Sequence, residues 1–347
     1  MIRANKVVRI GKRSVGEGHP CYIIAEAGSN HNRNKSTARK LIEVAAEAGV
    51  DAVKFQTYSA ETLYSKNTPR FTTFKDRDMY DLIKEIELPR QWQGELSDIC
   101  RSNGVEFLSS PFDNRAIDEL AELDVPAYKI ASFELVDLDL IGYAASKKKP
   151  MILSTGMANL GDIEEAVRTI LKMKNKDVVL LHCNSLYPTP VEIVNLRAMD
   201  TMRLAFNVPI GFSDHTLGIH MAQVAVARGA NVLEKHFTLD RRMKGPDHPF
   251  AIEPDELKDL ITRIREVESA LGDGVKDRAP EEEENYVKGR RSIVAKVRIP
   301  KGTKITKDLL INKRPGHGIQ PKFKEVVIGR VAKRDIEEDE VITWDMV

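Results

Sequence analysis

Apolar residues along this chain fall into two alternating patterns. Short continuous runs at 21–27 (CYIIAEA), 52–58 (AVKFQTY), 105–112 (VEFLSSPF), 127–134 (AYKIASFE), 150–156 (PMILSTG), 178–188 (VVLLHCNSLYP), 208–212 and 231–237 read as strands buried on both faces. Between them, apolar positions three and four residues apart predict helices. The first carries Ala38, Leu41, Ile42, Ala45 and Ala46 ahead of Gly49. Others follow near 91–102, 116–123, 138–146, 163–173, 196–206 and 219–226, with an amphipathic helix over 255–271. The stretch 59–90 is less regular, and its charge and prolines, Pro69 and Pro89, suggest a long loop with a short helix. Eight strands alternating with helices predict an α/β chain folded as a (β/α)8 TIM barrel, with a doubly wound open sheet as the alternative.

The pattern changes after Leu271. Residues 276–290 are polar and contain four consecutive glutamates, as a linker or an exposed helix would. Beyond them AKVRIPKGTKITKDLL (295–310) matches AKRDIEEDEVITWDMV (332–347) at six of sixteen positions without a gap. Two similar half-units predict a small pseudo-symmetric β domain. The expected organisation is a barrel over 1–275, a linker over 276–290 and the small domain over 291–347. A domain of roughly 60 residues is near the lower limit for independent stability.

Composition narrows the functional classes. A length of 347 residues with 42% hydrophobic and 30% charged side chains describes an ordinary globular protein. A net charge of +1 gives no reason to expect a nucleic-acid partner. The N-terminal residues have no apolar signal core and no run of about 18 apolar residues is present, so no membrane association and a cytoplasmic location are expected. The cysteines, Cys21, Cys100 and Cys183, are odd in number and lack zinc-type spacing.

Polar residues recur at the C-terminal ends of the predicted strands: Glu26, Lys54, Gln56, Ser109, Ser110, Lys129, Ser132, Glu134, Ser154, Thr155, Asn184, Ser185, Ser213, His215, Glu234 and His236. In a barrel those ends share one mouth, where catalytic residues collect. Lys54 and Lys129 with the serine hydroxyls suit an anionic ligand carrying phosphate and carboxylate. No GxGxxG or P-loop motif is present, which argues against a dinucleotide or nucleoside triphosphate. His215 and His236 stand at the ends of strands expected to be neighbours, about 4.8 Å apart. They could share one divalent ion, or each could cap its strand by hydrogen bonding. Glu26 and Glu134 are candidate acid–base groups, or partners of the two lysines.

The motifs EAGSNHN (26–32), VKFQTY (53–58), SSPFD (109–113), AYKIASFE, STGM (154–157), HCNSLYPTP (182–190), FSDHTLG (212–218), EKHFTLD (234–240), GPDH (245–248) and KRPGHGI (313–319) run in order over nearly the whole chain. In this the chain resembles the sialic acid synthase family, which condenses phosphoenolpyruvate with an N-acylated amino sugar to give a nine-carbon 2-keto acid. The C-terminal repeat resembles the antifreeze-like (SAF) domain of those synthases. The resemblance implies that Lys54, Ser110, Lys129, Ser132, Ser154, Ser185 and Ser213 bind phosphoenolpyruvate. Gln56, Tyr187, Glu234 and Asp247 would face the open-chain sugar. A divalent ion, Mn2+ with Mg2+ or Co2+ as alternatives, would sit on His215 and His236. It further implies a domain-swapped homodimer in which Arg314 contacts the sugar of the partner's barrel, and proton handling by Glu134 or, second, Glu26.

Two features depart from a simple match. Some family members carry Asn where Ser185 stands, which leaves Asn184 as an alternative contact. FQTY and KIASFE resemble the pseudaminic acid branch, whereas KGPDH, with Asp247 and His248, resembles the sialic and legionaminic branches. Two further readings are a heptulosonate-type synthase, against which the C-terminal repeat and GPDH speak, and a non-catalytic carbohydrate-binding protein, which would not need so many ionic groups at one mouth.

Overall fold

All eight apolar runs form strands, and all eight pair in parallel. The structure, a computed structural model, describes residues 4–68 and 77–347. The chain divides into two units, Met1–Gly272 and Asp273–Val347. The first opens with an antiparallel hairpin, β1 (Val7–Ile10) and β2 (Arg13–Gly16). The barrel strands are β3 (Tyr22–Glu26), β4 (Ala52–Thr57), β5 (Glu106–Pro111), β6 (Tyr128–Ile130), β7 (Met151–Ser154), β8 (Val178–Cys183), β9 (Ile210–Asp214) and β10 (Val232–His236). Their order is β5-β4-β3-β10-β9-β8-β7-β6, and β5 and β6 stand side by side at the seam without a ladder between them. This near-closed sheet is the TIM-like barrel rather than the open doubly wound alternative.

Period-two alternation sorts each strand's residues into two cores. Outward residues such as Ile23, Val53, Phe55, Phe107, Leu153, Leu180 and Phe212 pack against the surrounding helices. Inward residues Tyr22, Ile24, Ala52, Leu108, Ala127, Ile152, Val179, Leu181 and Val232 fill the barrel together with Val8, Ile10 and Val15 of the hairpin. The hairpin therefore supplies part of the interior, although the alternation in VVRI was not among the predicted elements. At β9 the inward position is Gly211, because a Cβ there would lie 2.4 Å from the Val232 carbonyl oxygen and 2.5 Å from Leu181 Cδ2.

Local rules set the helices. In Lys35–Ala48 the Asn34 side chain accepts from Thr37 N–H, Ala38, Leu41, Ile42 and Ala45 are buried, and Gly49 ends the helix at φ 92°. Two predicted strands are shorter than expected. The run 127–134 leaves the sheet after Ile130, the last residue paired to β7, and Ser132–Glu134 forms a 3-10 turn. The run 178–188 stops at Cys183, the last residue paired to β9. Among its described residues the stretch 59–90 contains the helices Ala60–Leu63 and Met79–Ile86; Pro69 lies outside the described residues.

The second unit carries the helix Glu283–Gly289, then β11 (Ser292–Ala295) paired antiparallel with β12 (Leu310–Lys313). Its repeat is a structural one. Ile299 and Ile336, equivalent in the two halves, exchange backbone hydrogen bonds of 2.8 and 2.9 Å. Gly302 and its counterpart Asp339 both adopt left-handed backbone, at φ 84° and 68°. A residue pairing with its own counterpart is what a local two-fold axis requires. Ala295, Ile299 and Ile305 share one core with Ala332, Ile336 and Ile342.

Ile10→Ala should lower the unfolding free energy by about 2–5 kcal/mol, since it opens a cavity inside the barrel. Urea denaturation checks this; an unchanged midpoint would mean that the hairpin does not contribute to the barrel core.

Candidate functional site

The inward alternation that fills the barrel with apolar groups continues into a polar layer one step toward the strand C-termini. Glu26 follows Ile24, Lys54 follows Ala52, Ser110 follows Leu108, Lys129 follows Ala127 and Ser154 follows Ile152. Cys183 follows Leu181, Ser213 follows Gly211 and Glu234 follows Val232. Each strand thus contributes one inward side chain, and all eight are buried.

Four of them form a chain of alternating charge. Lys54 Nζ lies 2.7 Å from Glu26 Oε2 and 3.8 Å from Glu234 Oε2, and Lys129 Nζ lies 3.8 Å from Glu234 Oε1. The ammonium groups also donate to hydroxyls, Lys54 to Ser110 at 3.2 Å and Lys129 to Ser154 at 2.7 Å. Ser213 donates to Glu234 Oε1 at 3.1 Å, and Gln56 Nε2 donates to Glu26 Oε1 at 2.6 Å.

Burial and charge act differently on each group. Burial pushes Glu26 up to about 7, opposed by Lys54 and reinforced by Glu234. Burial also disfavours the Glu234 carboxylate, but Lys129 and Lys54 outweigh it and hold that group below its ordinary value. Burial lowers Lys129 more than Glu234 restores it, whereas Glu234 and Glu26 overcome burial at Lys54 and raise it.

Ser132, Cys183 and Ser185 gather around Gly156. Ser132 Oγ accepts from Gly156 N–H at 3.0 Å and lies 3.0 Å from Cys183 Sγ. A Cβ at Gly156 would stand 2.3 Å from Ser185 Oγ, an atom buried without a hydrogen-bond partner. Asn184 turns elsewhere: its side-chain amide donates to the Ile193 carbonyl at 3.0 Å. Glu134, in the 3-10 turn, has a buried Oε2 without a partner. Burial pushes it up to about 7, with nearby Lys129 pulling the other way.

The imidazoles of His215 and His236 face each other, centroids 5.4 Å apart at 67°. His215 Nδ1 lies 2.7 Å from the Asn184 carbonyl oxygen, so that nitrogen carries the proton and Nε2 keeps its lone pair. Nε2 lies 3.4 Å from Ser213 Oγ, in the mouth. His236 Nδ1 is buried without a hydrogen-bond partner and stands 3.7 Å from Asp247 Oδ2. Burial lowers both imidazoles and favours their neutral, ligating form. Two neutral imidazoles this close suit a divalent ion in donor type. Among the described residues no three His, Cys, Asp or Glu side chains form a metal cage, so water or substrate oxygen would have to complete the coordination.

Tyr187 packs on His215 at 4.4 Å and Phe250 on His236 at 5.0 Å, giving the histidine pair an aromatic wall. Burial pushes Asp247 up to about 6, opposed by the Ser29 N–H and Lys54. Gly28, at φ 48°, lies under this edge; a Cβ there would meet Asp247 Oδ2 at 2.9 Å and Glu26 Oε1 at 3.4 Å. Arg314 belongs to the second unit and is exposed there. Cys183, Gly28, Gly156 and Phe250 were not singled out from sequence. The inward alternation through Leu181 would have found Cys183; Phe250 and the close approaches at the two glycines had no local signal.

Residues 41–276 match the NeuB family and residues 290–347 match the SAF domain. An uncharacterized protein of Methanocaldococcus jannaschii, MJ1065, is 44% identical over 97% of this chain and 98% of its own length. The N,N'-diacetyllegionaminic acid synthase of Campylobacter jejuni is 43% identical over 92% of this chain and 98% of its own. The crystal structure of the N-acetylneuraminic acid synthetase of Leptospira borgpetersenii, in complex with citrate, superposes with a TM-score of 0.74 at 33% identity, covering 82% of this chain and 96% of that one. No helix among the described residues is long and apolar enough to cross a membrane. The family match over residues 41–276, with 43% identity to a synthase over 92% of the chain, shows that this protein belongs to the NeuB family of sialic acid synthases.

Proposed function

We propose that the protein condenses phosphoenolpyruvate with an N-acylated amino hexose and releases phosphate. The product would be a nine-carbon 2-keto acid of the legionaminic or N-acetylneuraminic type. The observation that carries the proposal is the pair of buried ammonium groups, Lys54 and Lys129, each bonded to a serine hydroxyl beside the facing imidazoles. The legionaminic assignment is supported by the 43% identity to the Campylobacter enzyme and by Asp247, which stands beside His236.

In this reading Lys54, Lys129, Ser110, Ser154, Ser213, Ser132 and Ser185 bind the carboxylate and phosphate of phosphoenolpyruvate, replacing the lysines' resting partners. Gln56, Tyr187, Glu234 and Asp247 line the sugar's side. His215 and His236 would hold a divalent ion, Mn2+ first, which would supply Lewis-acid polarisation of the sugar aldehyde. Carbon 3 of phosphoenolpyruvate forms the new bond to the aldehyde carbon, whose oxygen takes up a proton. Water adds at carbon 2, one of its protons passing through Glu134 to the sugar alkoxide, and the other leaves with the phosphate as the C–O bond to phosphate breaks and carbon 2 becomes the ketone. With Glu134 raised to about 7, it is present in both protonation states near neutral pH.

A homodimer with exchanged second units is part of the proposal, with Arg314 reaching the sugar's acyl group in trans. It is supported by exposed apolar side chains in the loops after four neighbouring strands: Phe133 and Val136 after β6, Met157 after β7, Leu186 after β8 and Leu217 after β9. Such a row at the rim of a mouth suits a protein contact.

Incubation with phosphoenolpyruvate, Mn2+ and a panel of 2-acetamido and 2,4-diacetamido hexoses should release phosphate with at least one sugar; none with any sugar or metal would favour a binding role. His236→Ala should lose at least about 100-fold in kcat/KM at unchanged thermal stability, and near-normal turnover in a chelated sample would exclude the metal. For Glu134 the ionised form is disfavoured in the fold. Wild type should therefore lose stability relative to Glu134→Gln as pH rises from about 4.5 to about 7; parallel pH–stability curves would contradict that placement. Arg314→Ala should weaken sugar affinity, and mixing it with Lys129→Met should restore part of the activity; absence of rescue would count against the exchange.

A further inference from the structure

Directly behind the mouth, on the outward faces of β9 and β10, lies a second buried ion pair that the reaction does not touch. Lys235 and Asp214 are each nearly inaccessible, at 2% and 1% exposure. Lys235 Nζ lies 2.8 Å from Asp214 Oδ2 and donates to the Thr216 carbonyl oxygen at 2.6 Å. The other oxygen, Asp214 Oδ1, accepts from Thr216 N–H at 2.9 Å and from Thr216 Oγ1 at 2.8 Å. Every polar atom of the pair is thus spent on Thr216 or on its partner.

The placement is what matters. In strands, neighbouring side chains point to opposite faces. Asp214 therefore sits between two mouth residues, Ser213 and His215, and Lys235 sits between Glu234 and His236. β9 and β10 are paired so that Lys235 stands opposite Asp214. Past Asp214 the chain leaves the sheet, and His215 is on a loop whose next residue, Thr216, is tied from both sides by the pair. A buried ion pair is weak evidence for stability, because desolvation offsets its attraction. Its value here is directional: it locks the start of the His215 loop to the strand that bears His236.

We propose that Lys235 and Asp214 are positioning residues that set the separation and orientation of the His215 and His236 imidazoles, and so the affinity of that site for a divalent cation. The inference rests on the metal reading above and adds its determinant outside the mouth. Groups that orient ligands without touching the metal typically change metal affinity 10–100-fold.

The test compares wild type, Asp214→Asn and the double variant Asp214→Asn/Lys235→Met, in which no uncompensated charge is buried. Mn2+ binding is followed by titration calorimetry and by the electron paramagnetic resonance signal of free Mn2+, alongside thermal melting. The double variant should keep its fold and bind Mn2+ about 10-fold or more weakly, with Asp214→Asn in between. Wild-type affinity in a folded double variant would overturn the proposal, because a purely structural pair would leave binding unchanged. So would a double variant that fails to fold while Asp214→Asn binds Mn2+ as wild type does. Wild-type protein that takes up no Mn2+ would instead remove the metal reading itself, and this proposal with it.

Discussion

The mouth depends on electroneutrality among buried charges. Glu26, Lys54, Glu234 and Lys129 are buried at the end of a near-closed barrel, and each charge faces an opposite one. Removing a single member would strand a charge whose desolvation costs several kcal/mol. The four therefore behave as a unit, and strand register must hold them at one level of the barrel. The apolar interior below, hairpin included, supplies the rigid floor on which that register is kept.

Around this charge layer the loops divide the work. Those after β6, β7 and β8 bring Ser132, Gly156 and Ser185 together on one side. The loop after β9 and the end of β10 bring the two imidazoles together on the other, walled by Tyr187 and Phe250. Lys129 borders the first group through Ser154, and Glu234 borders the second through Ser213. An anion held by the first group is thereby placed beside whatever the imidazoles hold.

Much of this was legible in the residues because parallel barrel strands obey simple rules. Continuous apolar runs marked every strand, and polar groups at the same end of each run marked the mouth. What escaped detection was set by distance in space rather than along the chain. The hairpin at 7–16 is a strand pair whose partner core lies on six other strands and Ala127. Gly28 and Gly156 are dictated by atoms of residues far away in sequence, and the Asp214–Lys235 tie needs the β9–β10 register. The turn at Ser132–Glu134 was read as strand because its residues keep an apolar-polar alternation past the last ladder bond.

Glu26 and Glu234 show how one layer can serve two purposes. Both are buried carboxylates, yet burial prevails at Glu26 and the ammonium groups prevail at Glu234. The difference is one of neighbours. Glu234 faces both lysines and accepts from Ser213, while Glu26 has one lysine and a second carboxylate near it. In the proposed reaction an anion drawing on Lys54 removes the ammonium partner that Glu26 has among the described residues. That carboxylate, already the easier of the two to protonate, can take up a proton and stay neutral, whereas Glu234 remains ionised toward Lys129. A resting site of balanced charge can thus admit an anion through one protonation, with no change in the barrel that holds it.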